Sequence, residues 1–160
     1  MAESIKFRKT KPVYIGRVKV GGGAPVSVQS MTKTDSADIS ATVRQIRELE
    51  AVGCEIIRLA IPNQQAAGSL SRIKNKIRIP IEADIHFNPK LALEAIRQGV
   101  DSVRLNPGNI TDGEAIDAIV KAARSAKIPI RVGLNSGSVN GWYKSRLRRR
   151  LFPRKRIPGM

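Results

Sequence analysis

The chain has 160 residues, enough for one domain with a real core, and no apolar run long enough to span a membrane. Its 29 Lys+Arg against 13 Asp+Glu give a formal net charge of +16, which would suggest nucleic acid if the charge were evenly spread. It is not: every acid precedes residue 118, and Gly141 to Met160 holds eight basic residues and no acid, so half the net charge sits in the last twenty residues.

One cysteine, Cys54, excludes an internal disulfide and an all-cysteine metal site. Met1 to Thr10 is of mixed charge and lacks the apolar centre of a signal peptide, so the expected compartment is the cytoplasm.

Met1 to Lys11 is basic and expected to be loose. Val13 to Val20 alternates like a strand, and Gly21-Gly22-Gly23 is expected to turn it into a hairpin that plugs the bottom of a larger sheet. The three glycines are read as a plain turn and not as a phosphate cradle, because no helix start follows them. Ala24 to Thr32 is the first core strand, its end marked by Gln29, Ser30 and Thr32.

Asp35 to Asp38 then supplies capping residues for a helix with Ile39, Val43, Ile46 and Leu49 at helical spacing, ended by Gly53. The second strand is Glu55 to Ile61. The next helix, Gln64 to Ile77, is weakened by Gly68. Ile79 to Phe87 is the third strand. Asn88-Pro89 starts a helix closed by Gly99, Asp101 to Asn106 is the fourth strand, Asp112 caps a further helix, and Ile128 to Leu134 is the fifth strand.

Five strands with a helix between each pair mean right-handed βαβ units and a parallel sheet, with strands expected to be apolar on both faces. No G-x-G-x-x-G follows the first strand, which removes the main support for a dinucleotide fold. Polar residues fall late in every strand, where barrel enzymes place their sites. The expected fold is therefore α/β, a partial (βα)8 TIM-type barrel of about five parallel strands preceded by an N-terminal hairpin. A full barrel has eight strands and typically ~250 residues. The expected organisation is residues 1–139 as the N-terminal part of such a barrel, and 140–160 as a basic tail, disordered or translated out of frame.

Three strands carry one arginine each between apolar neighbours near their C-terminal ends: Arg58, Arg104 and Arg131. Arginine is rarely buried unless paired, and converging guanidinium groups need an anion. A phosphate or diphosphate ester matches their forked donors, and a neighbouring carboxylate such as Asp84 is the plain alternative. Glu82, Asp84 and His86 share one strand face, so Asp84 or His86 has the chemistry of a general acid or base, with a simple structural pairing equally compatible with the spacing. Asn106 and Asn135 follow their arginines on the same face and suit hydroxyl or phosphate oxygens, or turns. Cys54 is read as a small buried residue. A metal site is not expected, since a second histidine is missing and the cysteine is remote in sequence.

The segments VQSMTKT, IIRLAIP, EADIHFNP, VRLNPGNI and IRVGLNSGS resemble, in order and spacing, the barrel-strand motifs of the 4-hydroxy-3-methylbut-2-en-1-yl diphosphate synthase family (IspG, also called GcpE), over roughly Phe7 to Val139. The opening PVYIGRVKVGGGAPVSVQSMT is similar to the family's start. Pterin-binding synthase barrels also invite comparison, but the arginine positions match the isoprenoid family better. The resemblance implies an oxidoreductase of the non-mevalonate isoprenoid pathway, which converts 2-C-methyl-D-erythritol 2,4-cyclodiphosphate to hydroxymethylbutenyl diphosphate by reductive ring opening and loss of water. It also implies a [4Fe-4S] cluster held by three cysteines and a glutamate in a separate C-terminal domain, ferredoxin or flavodoxin as reductant, and a homodimer.

Carried onto this chain, the implied substrate contacts are Arg58, Asp84, Arg104, Asn106, Arg131 and Asn135, with His86 the candidate catalytic group. The cluster domain and its ligands are not matched, so the expectation is a fragment that binds a diphosphate at most. The competing reading is a non-catalytic anion- or nucleic-acid-binding protein that works through the basic tail. Deleting Gly141 to Met160 separates the two: binding of the cyclic diphosphate, measured by calorimetry, is unchanged under the first reading and abolished under the second.

Overall fold

A computed structural model of the chain describes residues 9–134; Asn135 and the basic segment 140–160 lie outside them. An antiparallel hairpin, β1 (Val13–Ile15) and β2 (Val18–Val20), comes first. Then follow β3 (Gln29–Met31), α1 (Ile39–Ala51), β4 (Ile56–Ala60), α2 (Gln64–Lys74), β5 (Ile81–Ile85), α3 (Pro89–Arg97), β6 (Ser102–Leu105), α4 (Gly113–Ala126) and β7 (Ile130–Val132). The strands β3 to β7 form one parallel sheet in chain order.

Each helix begins where an Asp or Asn accepts a hydrogen bond from an otherwise unpaired N–H of its first turn. Asp38 accepts from Ala41, Asn63 from Ala66, Asn88 from Lys90 and Asp112 from Glu114. Pro89 occupies the first turn of α3, where its missing N–H costs nothing. Gly53 and Gly99 leave α1 and α3 through positive φ, whereas α4 ends on Lys127 in the left-handed region at φ 56°. The second helix is continuous at Gly68 and ends at Lys74, short of the expected Ile77. It runs through the glycine, because Ala66, Ala67, Leu70 and Ile73 bury its face fully and outweigh one residue's backbone entropy.

The hairpin forms, but its turn lies elsewhere than expected. Val13 to Val20 is not one strand turned by Gly21 to Gly23: Ile15 pairs with Val18, so Gly16 and Arg17 make a two-residue turn. Gly16 adopts φ +55°, which such turns require, and a Cβ there would lie 2.9 Å from Pro80 Cβ. The turn is thereby pressed onto the start of β5. Above it, Val13, Ile15 and Val20 bound a cavity of about 550 Å3 with Gln29, Glu82 and Arg131, so the hairpin does sit beneath the sheet.

The two sheet faces differ, against the expectation of strands apolar on both. Ile57, Leu59, Ile81, Ala83, Ile85, Val103 and Leu105 turn to the helices and form the core with Val43, Ile46, Leu70, Ile73, Leu91, Ala95 and Ile119. The opposite face is polar. Register places Met31, Arg58, Glu82 and Ser102 in one row across it, and Ala60, Asp84, Arg104 and Arg131 in the next. Alternation produces both faces at once, since neighbouring residues point opposite ways.

The sheet is curled about that polar face. Arg131 on edge strand β7 donates to Gln29 Oε1 on the other edge strand, β3, at 2.5 Å. In a flat sheet, four strand spacings would separate these strands by ~19 Å, farther than an arginine and a glutamine span together. A sheet that closes into a barrel must curl in this way.

Two stability changes follow. Asn63→Ala removes the cap of α2 and lowers unfolding free energy by about 1 kcal/mol in urea denaturation. Thr32 Oγ1 is buried without a hydrogen-bond partner. The near-isosteric Thr32→Val removes that cost, and we expect stability to rise by about 1 kcal/mol; an unchanged or lower midpoint would mean that the hydroxyl is satisfied in solution.

Candidate anion-binding site

The site is assembled at the C-terminal ends of β4, β5 and β6, around Asp84 on the middle strand. Its carboxylate is only 2% exposed. Arg104 donates from Nη1 to Asp84 Oδ1 at 2.9 Å, Arg58 Nε lies 3.4 Å from Oδ2, and His86 Nε2 lies 3.3 Å from the same oxygen. One buried carboxylate thus gathers three basic side chains from three positions. Without them its charge would cost several kcal/mol to bury.

Each base has a second anchor. Arg104 donates from Nη2 to the Gly133 carbonyl at 3.0 Å, and Gly133 has no room for a side chain because a Cβ would lie 3.0 Å from Arg104 Cζ. Arg58 directs Nε and Nη2 at the Met31 sulfur, at 3.3 and 3.1 Å. The His86 ring meets Phe87 edge-on, with centroids 6.0 Å apart, and is half exposed.

Arg131 is not on Asp84. It turns one row towards the N-terminal end of the sheet and donates to Glu82 Oε1 at 3.0 Å as well as to Gln29. Glu82 is completely buried, and it also accepts from Gln29 Nε2 and Ser102 Oγ, both at 3.3 Å. The three arginines therefore share one face but occupy two layers. Arg58, Arg104 and His86 form the upper layer on Asp84, and Arg131 lies in the lower on Glu82.

Each arginine has a carboxylate neighbour, so the pairing alternative raised by the sequence describes what the side chains do here. It does not exhaust them. A guanidinium has five N–H donors, and the contacts above use a minority. Three arginines against two carboxylates also leave the face with one excess positive charge, the histidine uncounted. Asn106 is buried directly after β6, and its Oδ1 accepts from Gly108 N at 3.0 Å, which is turn chemistry. Asn135 falls outside the described residues.

Sequence reasoning missed Gly133 and Met31, named Gln29 only as a polar residue at the end of the first strand, and gave Glu82 no role of its own. Gly133 was detectable only through register, two residues beyond Arg131 and beside Asn106. The partnership of Met31 with Arg58 has no motif, since it is a cross-strand neighbour relation.

Among the described residues no cluster of three His, Cys, Asp or Glu side chains could hold a metal ion. Cys54 is buried before β4, at the other end of the sheet, with its thiol directed at the Ile56 carbonyl. These residues do not fit a [4Fe-4S] cluster, and the chemistry open to them is electrostatic and acid–base. No helix among the described residues is long and apolar enough to cross a membrane.

Comparison with known proteins agrees with this architecture. The fold resembles 7,8-dihydropteroate synthase from Vibrio fischeri (TM-score 0.56, 14% identity, covering 77% of this chain and 48% of that one). It also resembles dihydropteroate synthase from Yersinia pestis (TM-score 0.60, 8% identity, covering 88% and 54%). At such identities the likeness concerns the fold alone. In sequence the chain is 57% identical over 135 residues to a 4-hydroxy-3-methylbut-2-en-1-yl diphosphate synthase (flavodoxin) of Thermodesulfovibrio yellowstonii, covering 84% of this chain and 39% of that protein. A protein of the same name from Geobacillus thermodenitrificans is 50% identical over 139 residues, covering 87% and 37%. The chain thus spans well under half the length of these relatives. The GcpE TIM-barrel domain matches residues 10–154, a span that ends inside the basic segment. With its parallel βα units, its curled sheet and this match over most of its length, the chain belongs to the GcpE family.

Proposed function

We propose that this chain is the diphosphate-anchoring part of a 4-hydroxy-3-methylbut-2-en-1-yl diphosphate synthase. The observation that carries this reading is the polar inner face, where Arg58 and Arg104 meet over one buried carboxylate beside a half-exposed histidine. The names of the relatives point to the same chemistry. In this reading the substrate is 2-C-methyl-D-erythritol 2,4-cyclodiphosphate, and its phosphate oxygens take the guanidinium donors that Asp84 leaves free.

Asp84 then acts through its neighbours. It fixes the Arg58 and Arg104 forks before the substrate arrives, so little side-chain entropy is lost on binding. Arg131 serves the same anion from the layer below. In this reading His86 holds or delivers a proton at the ring oxygen that leaves, supported by the Asp84 carboxylate 3.3 Å from its Nε2. In this reading Asn106 and Asn135 are assigned to hydroxyl or phosphate oxygens of the substrate. The reducing equivalents belong to the family's [4Fe-4S] cluster and to flavodoxin or ferredoxin, and the described residues offer no ligands for such a cluster. The reading also places the enzyme in the cytoplasm, as a homodimer.

The test is calorimetric titration of the cyclic diphosphate into the chain and its variants. Arg104→Ala should weaken binding by about tenfold to a hundredfold, the loss of charge-assisted hydrogen bonds to an anion. Arg104→Lys should recover only part of it, because it keeps the charge but not the fork. An affinity untouched by Arg58→Ala and Arg104→Ala together, in variants that still melt cooperatively, would refute the assignment. Gly133→Ala pushes the Arg104 guanidinium off its place, so we expect affinity to drop severalfold while the far-UV spectrum stays unchanged.

A further inference from the structure

At the end of the sheet opposite Asp84, three arginines from separate segments line one recess of about 380 Å3. Arg17 comes from the β1–β2 turn, Arg47 from α1, and Arg78 from the loop before β5. Glu50, Cys54 and Ile79 complete its wall. Unlike Arg58, Arg104 and Arg131, none of these three guanidinium groups lies within ion-pair distance of a carboxylate among the described residues. Glu50 brings one negative charge to the same wall, and its Oε1 accepts from the main-chain N–H groups of Arg78 and Ile79, at 2.7 and 3.1 Å. Arg47 gives Nη2 to the Lys76 carbonyl at 3.0 Å and keeps its other donors.

The recess is therefore lined by three arginines against one carboxylate, a formal excess of two positive charges. Its frame is fixed. The Gly16 turn abuts Pro80 and Asp101, and Asp101 in turn accepts from Lys74 Nζ and Ile81 N, both at 2.9 Å. The Glu50 bonds hold the Arg78 segment against α1. Guanidinium forks suit phosphate oxygens, and a recess of this size falls within the range of small-ligand pockets.

The geometry points to a second anion site, in which Arg17, Arg47 and Arg78 bind the phosphate groups of a small phosphate or diphosphate ester at the N-terminal end of the strands. It shares no residue with the Asp84 site, so it stands or falls separately from the proposed activity. The plain alternative, three solvated side chains, predicts no saturable binding here.

Inorganic pyrophosphate titrated calorimetrically into the full 160-residue chain tests it. The expected result is a binding event that survives Arg58→Ala with Arg104→Ala and weakens about tenfold or more in Arg47→Gln with Arg78→Gln. Arg17→Gln alone, in an exposed turn that tolerates polar side chains, should weaken the same event severalfold and guards against a folding defect in the double variant. Binding that is indifferent to Arg17, Arg47 and Arg78 overturns the proposal. So does loss of all binding in the Arg58 and Arg104 variant, or displacement of pyrophosphate by a short oligonucleotide at equal phosphate concentration. Failure of the Asp84-site reading shows instead as a pyrophosphate isotherm insensitive to Arg58 and Arg104 but still sensitive to Arg47 and Arg78.

Discussion

Two buried carboxylates on the middle strand set the terms for everything else in this molecule. Glu82 and Asp84 alternate with Ile81, Ala83 and Ile85, so the residues that hold β5 against the helices also force both acids onto the inner face. An unpaired charge there would cost several kcal/mol. The flanking strands meet that cost with arginines, Arg58 from β4, Arg104 from β6 and Arg131 from β7. The polar interior of the half-barrel is therefore a charge-compensated layer. Its slight cationic excess and its spare donors are what the proposed binding of a phosphorylated ligand draws on.

Curvature and charge are coupled in this arrangement. Arg131 reaches Gln29 only because the sheet bends, and that contact holds the bend. The edges β3 and β7 remain unpaired within the described residues, and Val132 and Leu134 stand exposed at the β7 side. An edge of this kind is a template for further pairing. The hairpin limits the open surface at the bottom, where Gly16 packs on Pro80.

The alternation of helix caps, apolar runs and glycine stops was readable from the chain because each is a local signal. Asp38, Asn88 and Asp112 announce three helices within a few residues of themselves, whereas the Asn63 cap of α2 emerges only from the structure. The arginines were readable as a recurring pattern, and the family resemblance as ordered motifs. Contacts between strands were not. Whether Arg131 meets Asp84 or Glu82 depends on register and on rotamer, and neither is written in any single segment. The hairpin turn was misplaced for a related reason: three glycines are a louder signal than one, yet Gly16 alone satisfies the two-residue pairing of Ile15 with Val18. The strands were also read as longer than they are, because the residues at their ends are spent on turns and on the site.

The tie between Arg131 and Gln29 spans 102 positions. During synthesis, Asp84 can collect Arg58 and Arg104 as soon as β6 has left the ribosome. Glu82 must wait for Arg131, 27 residues later by subtraction of the two arginine positions, or roughly 1–5 s at ordinary elongation rates. Until Arg131 has been made, neither the ion pair to Glu82 nor the bond to Gln29 is available to the chain. The contact that joins the two edges of the sheet therefore cannot form before Arg131 has been made, so the last strand of the sheet is also the one that closes its polar face.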